Sequence, residues 1–205
     1  MVSVDQTLTQ DEVVSGKLNV ALARLLIASG LFLFAPFFVA FAMLSALNNN
    51  NMWRPAGVTH PSTALGLASV ILLVASGVAY LWGHAGVRTG ADSQMKSGVM
   101  LAFLLAVVAA VCYALTLSHM GFSFQAGGYA SVFFGLTFVY EVFLIGLCVF
   151  LGGIANRVRL GLYTPLRMTA VTAFGEFWWW FIIVGALGYA LLYVLPFLNI
   201  ESVPT

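Results

Sequence analysis

The sequence predicts an all-α, polytopic membrane protein of five transmembrane helices, with the amino terminus cytoplasmic and the carboxyl terminus outside. Three observations predict it. Five long apolar blocks, at about 20–47, 63–85, 97–119, 129–155 and 170–195, fill most of the 205 residues. Each is long enough to cross a hydrocarbon core of about 30 Å, which needs about 20 helical residues. The composition, 7% charged and 61% hydrophobic, is too apolar for a soluble domain of this size. Finally, the basic residues are lopsided. Lys17, Arg24, Arg88, Lys96, Arg157, Arg159 and Arg167 fall on one side of the implied membrane and Arg54 alone on the other. Cytoplasmic loops keep the positive charge, which fixes the expected orientation.

The chain then divides into a polar cytoplasmic tail at 1–19, the five-helix membrane domain at 20–195 and an outer tail at 196–205. The remaining polar sequence is too short to hold a soluble domain. Asp5, Asp11 and Glu12 make the first tail acidic. The span after it is far longer than a signal-peptide core, so it is expected to be retained rather than cleaved. That first span is about 42 Å long as a helix, so tilt or protrusion is expected. Pro36 interrupts it, removes a backbone donor and should kink it. In the third span Ala102, Ala106, Ala110 and Ala114 recur every four residues, a smooth stripe that would let a neighbouring backbone approach. Gly185 and Gly188, beside Ala186 and Ala190, offer the fifth span a similar face.

Aromatic residues crowd the inner part of the fifth span, where Trp178, Trp179 and Trp180 follow Phe174 and Phe177. Three consecutive indoles cover nearly a full turn, so at least one should face lipid or a partner while another faces the bundle. An interfacial anchoring belt is one explanation; a subunit or lipid contact is the other.

Two carboxylates lie inside the spans: Glu141 about halfway along the fourth and Glu176 about a turn and a half into the fifth. A charge at mid-membrane costs at least about 2.5 kcal/mol, so such residues are paired, protonated or functional. Glu176 is close enough to the inner surface to reach the headgroups or to meet Arg167 or Arg159. Glu141 is deeper, with no Lys or Arg at its level. It is expected to be a protonated side chain donating a hydrogen bond within the bundle or to a partner. A buried lipid or subunit contact and a proton-handling role stay open. Tyr140 is adjacent, but neighbouring helical residues point about 100° apart and could only share a partner.

The chain shows no chemistry of its own. A haem held by two axial histidines needs both at compatible depth. His60 with His119 is the only same-side pair, and His60 sits in a loop. His84 maps to the inner side. Cys112 and Cys148 lack metal-ligand spacing and read as buried free thiols. Neither a phosphate-binding loop nor a nucleophile–base signature is present, and a formal charge of +1 points to no nucleic acid.

Several runs carry a resemblance. Trp53-Arg54-Pro55 follows the first span, Leu72-Leu73-Val74-Ala75-Ser76-Gly77 lies in the second, and Gly128-Tyr129-Ala130-Ser131-Val132-Phe133-Phe134 opens the fourth. With the aromatic fifth span, these resemble the subunit III family of haem-copper terminal oxidases in its five-helix form, in order across nearly the whole chain. The departures are specific. Where the family has T-G-F-H-G-L-H, this chain has Thr137 to Phe143, with Tyr140 and Phe143 in place of both histidines. Trp180 and Ile183 hold the last helix's histidine and aspartate positions. Gly30 stands where a glutamate follows serine in the first helix.

The resemblance implies a non-catalytic integral subunit of a respiratory oxidase that reduces oxygen to water and contributes to proton translocation. It implies no cofactor in this chain, with haem and copper in partner subunits. The implied partners are subunit I, subunit II and membrane lipids, with Glu141, Tyr140, Glu176, Trp178, Trp179 and Trp180 as the candidate buried contacts. The expected location is a bacterial or archaeal plasma membrane. Two other readings remain: a small proton-coupled transporter using Glu141, and an anchoring subunit of another electron-transfer complex. Val139, Val142, Phe143, Leu144 and Ile145 around Glu141 do not make the polar face a transporter would need, and five helices give no inverted repeat of equal halves.

Overall fold

The computed structural model describes residues 10–48, 52–55, 58–59, 61–89, 91–163 and 168–197, less the side chains of 87, 88 and 197. Five helices account for most of them: α1 (Gln10–Ala46), α2 (Thr63–Thr89), α3 (Asp92–Ser118), α4 (Gly128–Arg159) and α5 (Thr169–Tyr189). A π-helical turn (Ala190–Val194) and a 3-10 turn (Leu195–Phe197) extend α5. All five are long and apolar enough to cross a membrane, α5 together with its π-helical turn. In lipid no water can satisfy backbone groups, which is why such apolar runs become continuous helices. Helix α1 begins ahead of its apolar span, at Gln10, and passes unbroken through Pro36. At 37 residues it is about 55 Å long, well beyond the hydrocarbon core.

The helices pack in the cyclic order α2, α3, α4, α1, α5, with α5 returning to α2. The α2–α3 hairpin is the tightest pair. A Cβ built on Gly98 would lie 2.5 Å from Gly83 Cα and 2.6 Å from its nitrogen, so the two backbones touch at that crossing. Ser76 Oγ donates to Ala102 O at 2.8 Å and Gln94 Nε2 to Trp82 O at 2.8 Å, binding the hairpin along its length.

The buried face of α3 is Met95, Gly98, Val99, Ala102, Ala106, Ala109, Tyr113 and Thr116. This corrects the alanine stripe expected from the sequence. Ala102 and Ala106 are on the buried face, but Ala110 is only partly buried and Ala114 is exposed. Four residues advance a helix about 400°, so a strict four-residue row drifts about 40° per step. Alternating steps of three and four hold the seam, and Ala109 continues it.

Between α4 and α5 the backbones stay apart and aromatic rings fill the gap. Tyr140 stacks on Phe181 with centroids 4.2 Å apart and planes at 9°. Phe34 of α1 sits edge-on to both, at 6.1 and 6.4 Å.

Helix α4 starts under the α1–α2 connection. Gly128 N donates to Met52 O at 3.2 Å and Tyr129 N to Trp53 O at 2.9 Å, which satisfies two of the orphan donors of the helix terminus. Gly127 before it has φ 132°, and a Cβ there would meet Pro55 Cδ at 2.6 Å. Only glycine fits that conformation and that approach. Trp53 lies edge-on to Phe41 at 5.1 Å and Tyr129 at 5.9 Å, tying the connection to α1 and α4.

Candidate functional site

Three tyrosine hydroxyls brace α5 at three heights. Tyr80 Oη donates to Val171 O at 2.7 Å, Tyr140 Oη to Phe181 O at 3.0 Å and Tyr129 Oη to Leu192 O at 2.8 Å. The last has a covalent cause. Proline at 196 has no N–H, so the Leu192 carbonyl lacks its usual helical donor four residues on, and Tyr129 supplies one. Buried in a membrane, that carbonyl would otherwise stand unsatisfied. Arg54 Nη1 donates to Pro196 O at 3.2 Å, so the one basic residue set apart from the other seven also ties down this end. None of these braces was singled out from the sequence. Pro196 sixteen residues beyond Trp180 was the available signal, since a proline ending an apolar span predicts an orphaned carbonyl one turn before it.

In the tryptophan row one indole faces the bundle, as expected. Trp178 is fully buried, stacked near-parallel between Phe174 at 5.8 Å and Phe181 at 6.2 Å. Trp179 and Trp180 are both partly buried. Trp179 lies against Gly77 of α2, where a Cβ would meet its ring at 3.0 Å. Trp180 covers Gly30 of α1, where a Cβ would overlap its ring, and sits 6.1 Å from Phe34. The three indoles therefore fan into the core, α2 and α1 in turn, because α5 has packed neighbours on three sides. They lie about 15 Å along α5 from Thr169. Gly30 and Trp180, two of the departures from the family pattern, are in contact with each other.

Glu176 is exposed, and its Oε2 lies 3.7 Å from Arg24 Nε, with side-chain exposures of 41% and 70%. The partner is thus on α1, not the expected Arg159; Arg167 lies outside the described residues. The pair sits on the parallel α1–α5 seam, above the contact of Gly16 with Thr169. Exposed pairs of this kind contribute little in water, about 0–1 kcal/mol.

Glu141 is 6% exposed and turns away from Tyr140. Tyr140 points into the aromatic core and donates to Phe181 O, whereas Glu141 lines a groove between α3 and α4, so the two share no hydrogen-bond partner among the described residues. The groove measures about 500 Å³ and is otherwise walled by Phe103, Val107, Ala110, Val111, Ala114, Ile145, Cys148, Val149 and Gly152. Within it Glu141 Oε2 is buried and has no hydrogen-bond partner among the described residues. The hydrogen bond expected within the bundle is therefore not made by that oxygen. The cause is local: α3 presents alanine and valine at this level, and the nearest hydroxyl-bearing side chains point into the bundle.

Among the described residues no group of three or more His, Cys, Asp and Glu is placed to hold a metal. His119 is exposed and its Nδ1 lies 2.9 Å from Ser118 Oγ and 3.0 Å from Leu115 O. His84 Nε2 lies 3.0 Å from Thr172 Oγ1, and His60 is outside the described residues. Cys112 and Cys148 are free thiols. Among the described residues the geometry offers packing surfaces and an apolar groove that holds one carboxyl group.

Comparison with known proteins agrees with that character. The family model described as cytochrome c oxidase subunit III matches residues 5–195. A cytochrome c oxidase subunit 3 of the yeast Wickerhamomyces canadensis is 31% identical over 128 residues, covering 59% of this chain and 48% of the relative. The subunit 3 of Rattus norvegicus is 30% identical over 164 residues, 76% of this chain and 60% of the relative. That of Saccharomyces cerevisiae is 29% identical over 145 residues, 70% and 53%. The matches span about half to three fifths of the length of these relatives.

Proposed function

Since the chain belongs to the cytochrome c oxidase subunit III family, we propose that it is a non-catalytic integral-membrane subunit of a haem-copper oxidase. The match over residues 5–195 carries this reading. In it, the haem and copper that reduce oxygen to water belong to subunits I and II, and this chain packs against the catalytic subunit and lipids. The exposed apolar residues of all five helices suit such surroundings. The six contact candidates divide on their placement. Glu176 lies at the outside of the bundle and Glu141 is buried within the α3–α4 groove; Tyr140 and Trp178 are interior and act by holding α4, α5 and α1 together; Trp179 and Trp180 join α5 to α2 and α1.

The family reading favours an accessory role over transport. A proton-coupled transporter needs a polar path to its carboxylate, and the lining of the Glu141 groove is otherwise aliphatic, aromatic or thiol. The relatives named above are from yeasts and a rodent, and give no support to the bacterial or archaeal plasma membrane expected from the sequence. The integral-membrane location stands on the five apolar helices and the family.

The decisive measurement is purification of the native complex from solubilised membranes. Haem and copper should co-elute with this chain in constant ratio, and the polypeptide separated from its partners should retain neither. Recovery of the chain as a complex without haem would overturn the reading.

The proposed orientation places Gln10, the α2–α3 turn and the α4–α5 connection on the cytoplasmic side, supported by the seven-to-one charge asymmetry. A cysteine introduced between residues 157 and 167 should then react with an impermeant maleimide only from the cytoplasmic side, and one near Glu201 only from outside. The inverse labelling pattern would refute the orientation.

A further inference from the structure

We propose that the α3–α4 groove around Glu141 is a docking face for a transmembrane helix of another subunit, one that presents a hydrogen-bonding side chain at mid-membrane depth. The proposal deepens the oxidase-subunit reading and rests on it for the source of that helix.

Depth selects the occupant. Glu141 stands about 20 Å along α4 from Gly128 and about 27 Å from Arg159. That places it near the middle of a hydrocarbon core about 30 Å thick, roughly 10 Å or more from either headgroup layer. A phospholipid can bring only acyl chain to this level, and acyl chain offers nothing to a carboxyl group. The buried, unpartnered Oε2 therefore calls for a polar side chain carried inward on a protein segment, and in the hydrocarbon region such a segment is a helix.

Shape agrees with depth. The lining residues run from Phe103 to Ala114 on α3 and from Glu141 to Gly152 on α4, about 17 Å along each helix. The trough thus follows the helix axes for three turns. Ala110 and Ala114 let a second backbone come close, as small residues do at membrane helix contacts. Val111, Ile145 and Val149 are 53%, 51% and 74% exposed and form the flanks available to the incoming helix.

The test uses the complex expressed with its own partner subunits. A photoactivatable benzoylphenylalanine is placed at Val149 or at Val111, where the side chain already faces outward. Both positions should crosslink to one other polypeptide of the complex. Glu141→Gln keeps a hydrogen-bonding group and should leave the yield unchanged. Glu141→Val should lower it about three- to twentyfold, the range that one hydrogen bond between membrane helices supports. If both probes reach only lipid, a second copy of this chain or no polypeptide while haem still co-elutes, the docking face is refuted and the oxidase reading stands. A crosslinked partner in a preparation without haem would instead refute the oxidase reading and leave the docking face. Equal yields from Glu141→Val and wild type would show that the carboxyl plays no part in docking, and would overturn the proposal.

Discussion

Valine at position 98 is expected to break the α2–α3 hairpin. Even a single added carbon would stand 2.5–2.9 Å from Gly83 Cα, Gly83 N and Ala79 O, all backbone atoms that cannot rotate aside. Relief requires the helices to separate, which would draw Ser76 Oγ away from Ala102 O and open the seam below it. Overpacking in a well-packed core costs about 1–3 kcal/mol when side chains can adjust, and a backbone clash lies at or beyond the top of that range. Gly146→Ala is the matched control, because a Cβ there meets nothing within 4 Å. Thermal unfolding of the purified complex should show a large loss for Gly98→Val and none for Gly146→Ala. Similar midpoints for the two variants would mean that the crossing is looser than described.

Trp178→Ala is expected to cost nearly as much, by emptying the core instead of crowding it. The indole is fully enclosed and stacked on Phe174 and Phe181, and Phe181 in turn carries Tyr140 and Phe34. Truncating a buried tryptophan costs about 3–5 kcal/mol in water-soluble proteins. In lipid the transfer part shrinks, because the separated helix also rests in an apolar medium, while lost packing contacts and the cavity remain. About 3 kcal/mol is the expected loss, against less than about 1 kcal/mol for Ile183→Ala, whose side chain is 53% exposed on the same helix. Equal effects of the two substitutions in a denaturation series would remove Trp178 from its central place in the core.

The five spans were legible because each apolar run exceeds the length a bilayer demands, and no other structure can bury so many backbone groups there. Which face of each helix turns inward was not legible. In water a helix announces its buried face by contrast, but a lipid-facing residue is as apolar as a core residue, so the contrast is muted. That is why Ala110 and Ala114 read like Ala102, and why three identical indoles gave no sign that they serve three different neighbours. The Arg24–Glu176 pair was hidden for another reason, since its members lie on the first and last helices and only the packing order brings them together. The depth of Glu141 could be read from its distance to the ends of its span. The open groove beside it follows from the small side chains of a different helix. Gly30 and Trp180 make the same point, as each looks like an isolated departure until the contact shows one filling the room the other leaves.

The packing order bears on how the chain is made. Helix α1 is made before the other four, yet it packs chiefly on α5 and α4, whereas α2 and α3 are separated by only two residues. The last of its partners is synthesised more than a hundred residues later, roughly 10 s at ordinary elongation rates. For that interval α1 must wait in the bilayer without the contacts to α5 that hold it in the bundle. Its wide apolar surface, with only Gly16, Ala23, Phe34 and Phe41 buried among the described residues of the bundle, suits it to wait there against lipid. The pocket for Phe34 forms only when Tyr140 and Phe181 have both arrived, so α1, made before the other four helices, is the one whose place is completed last.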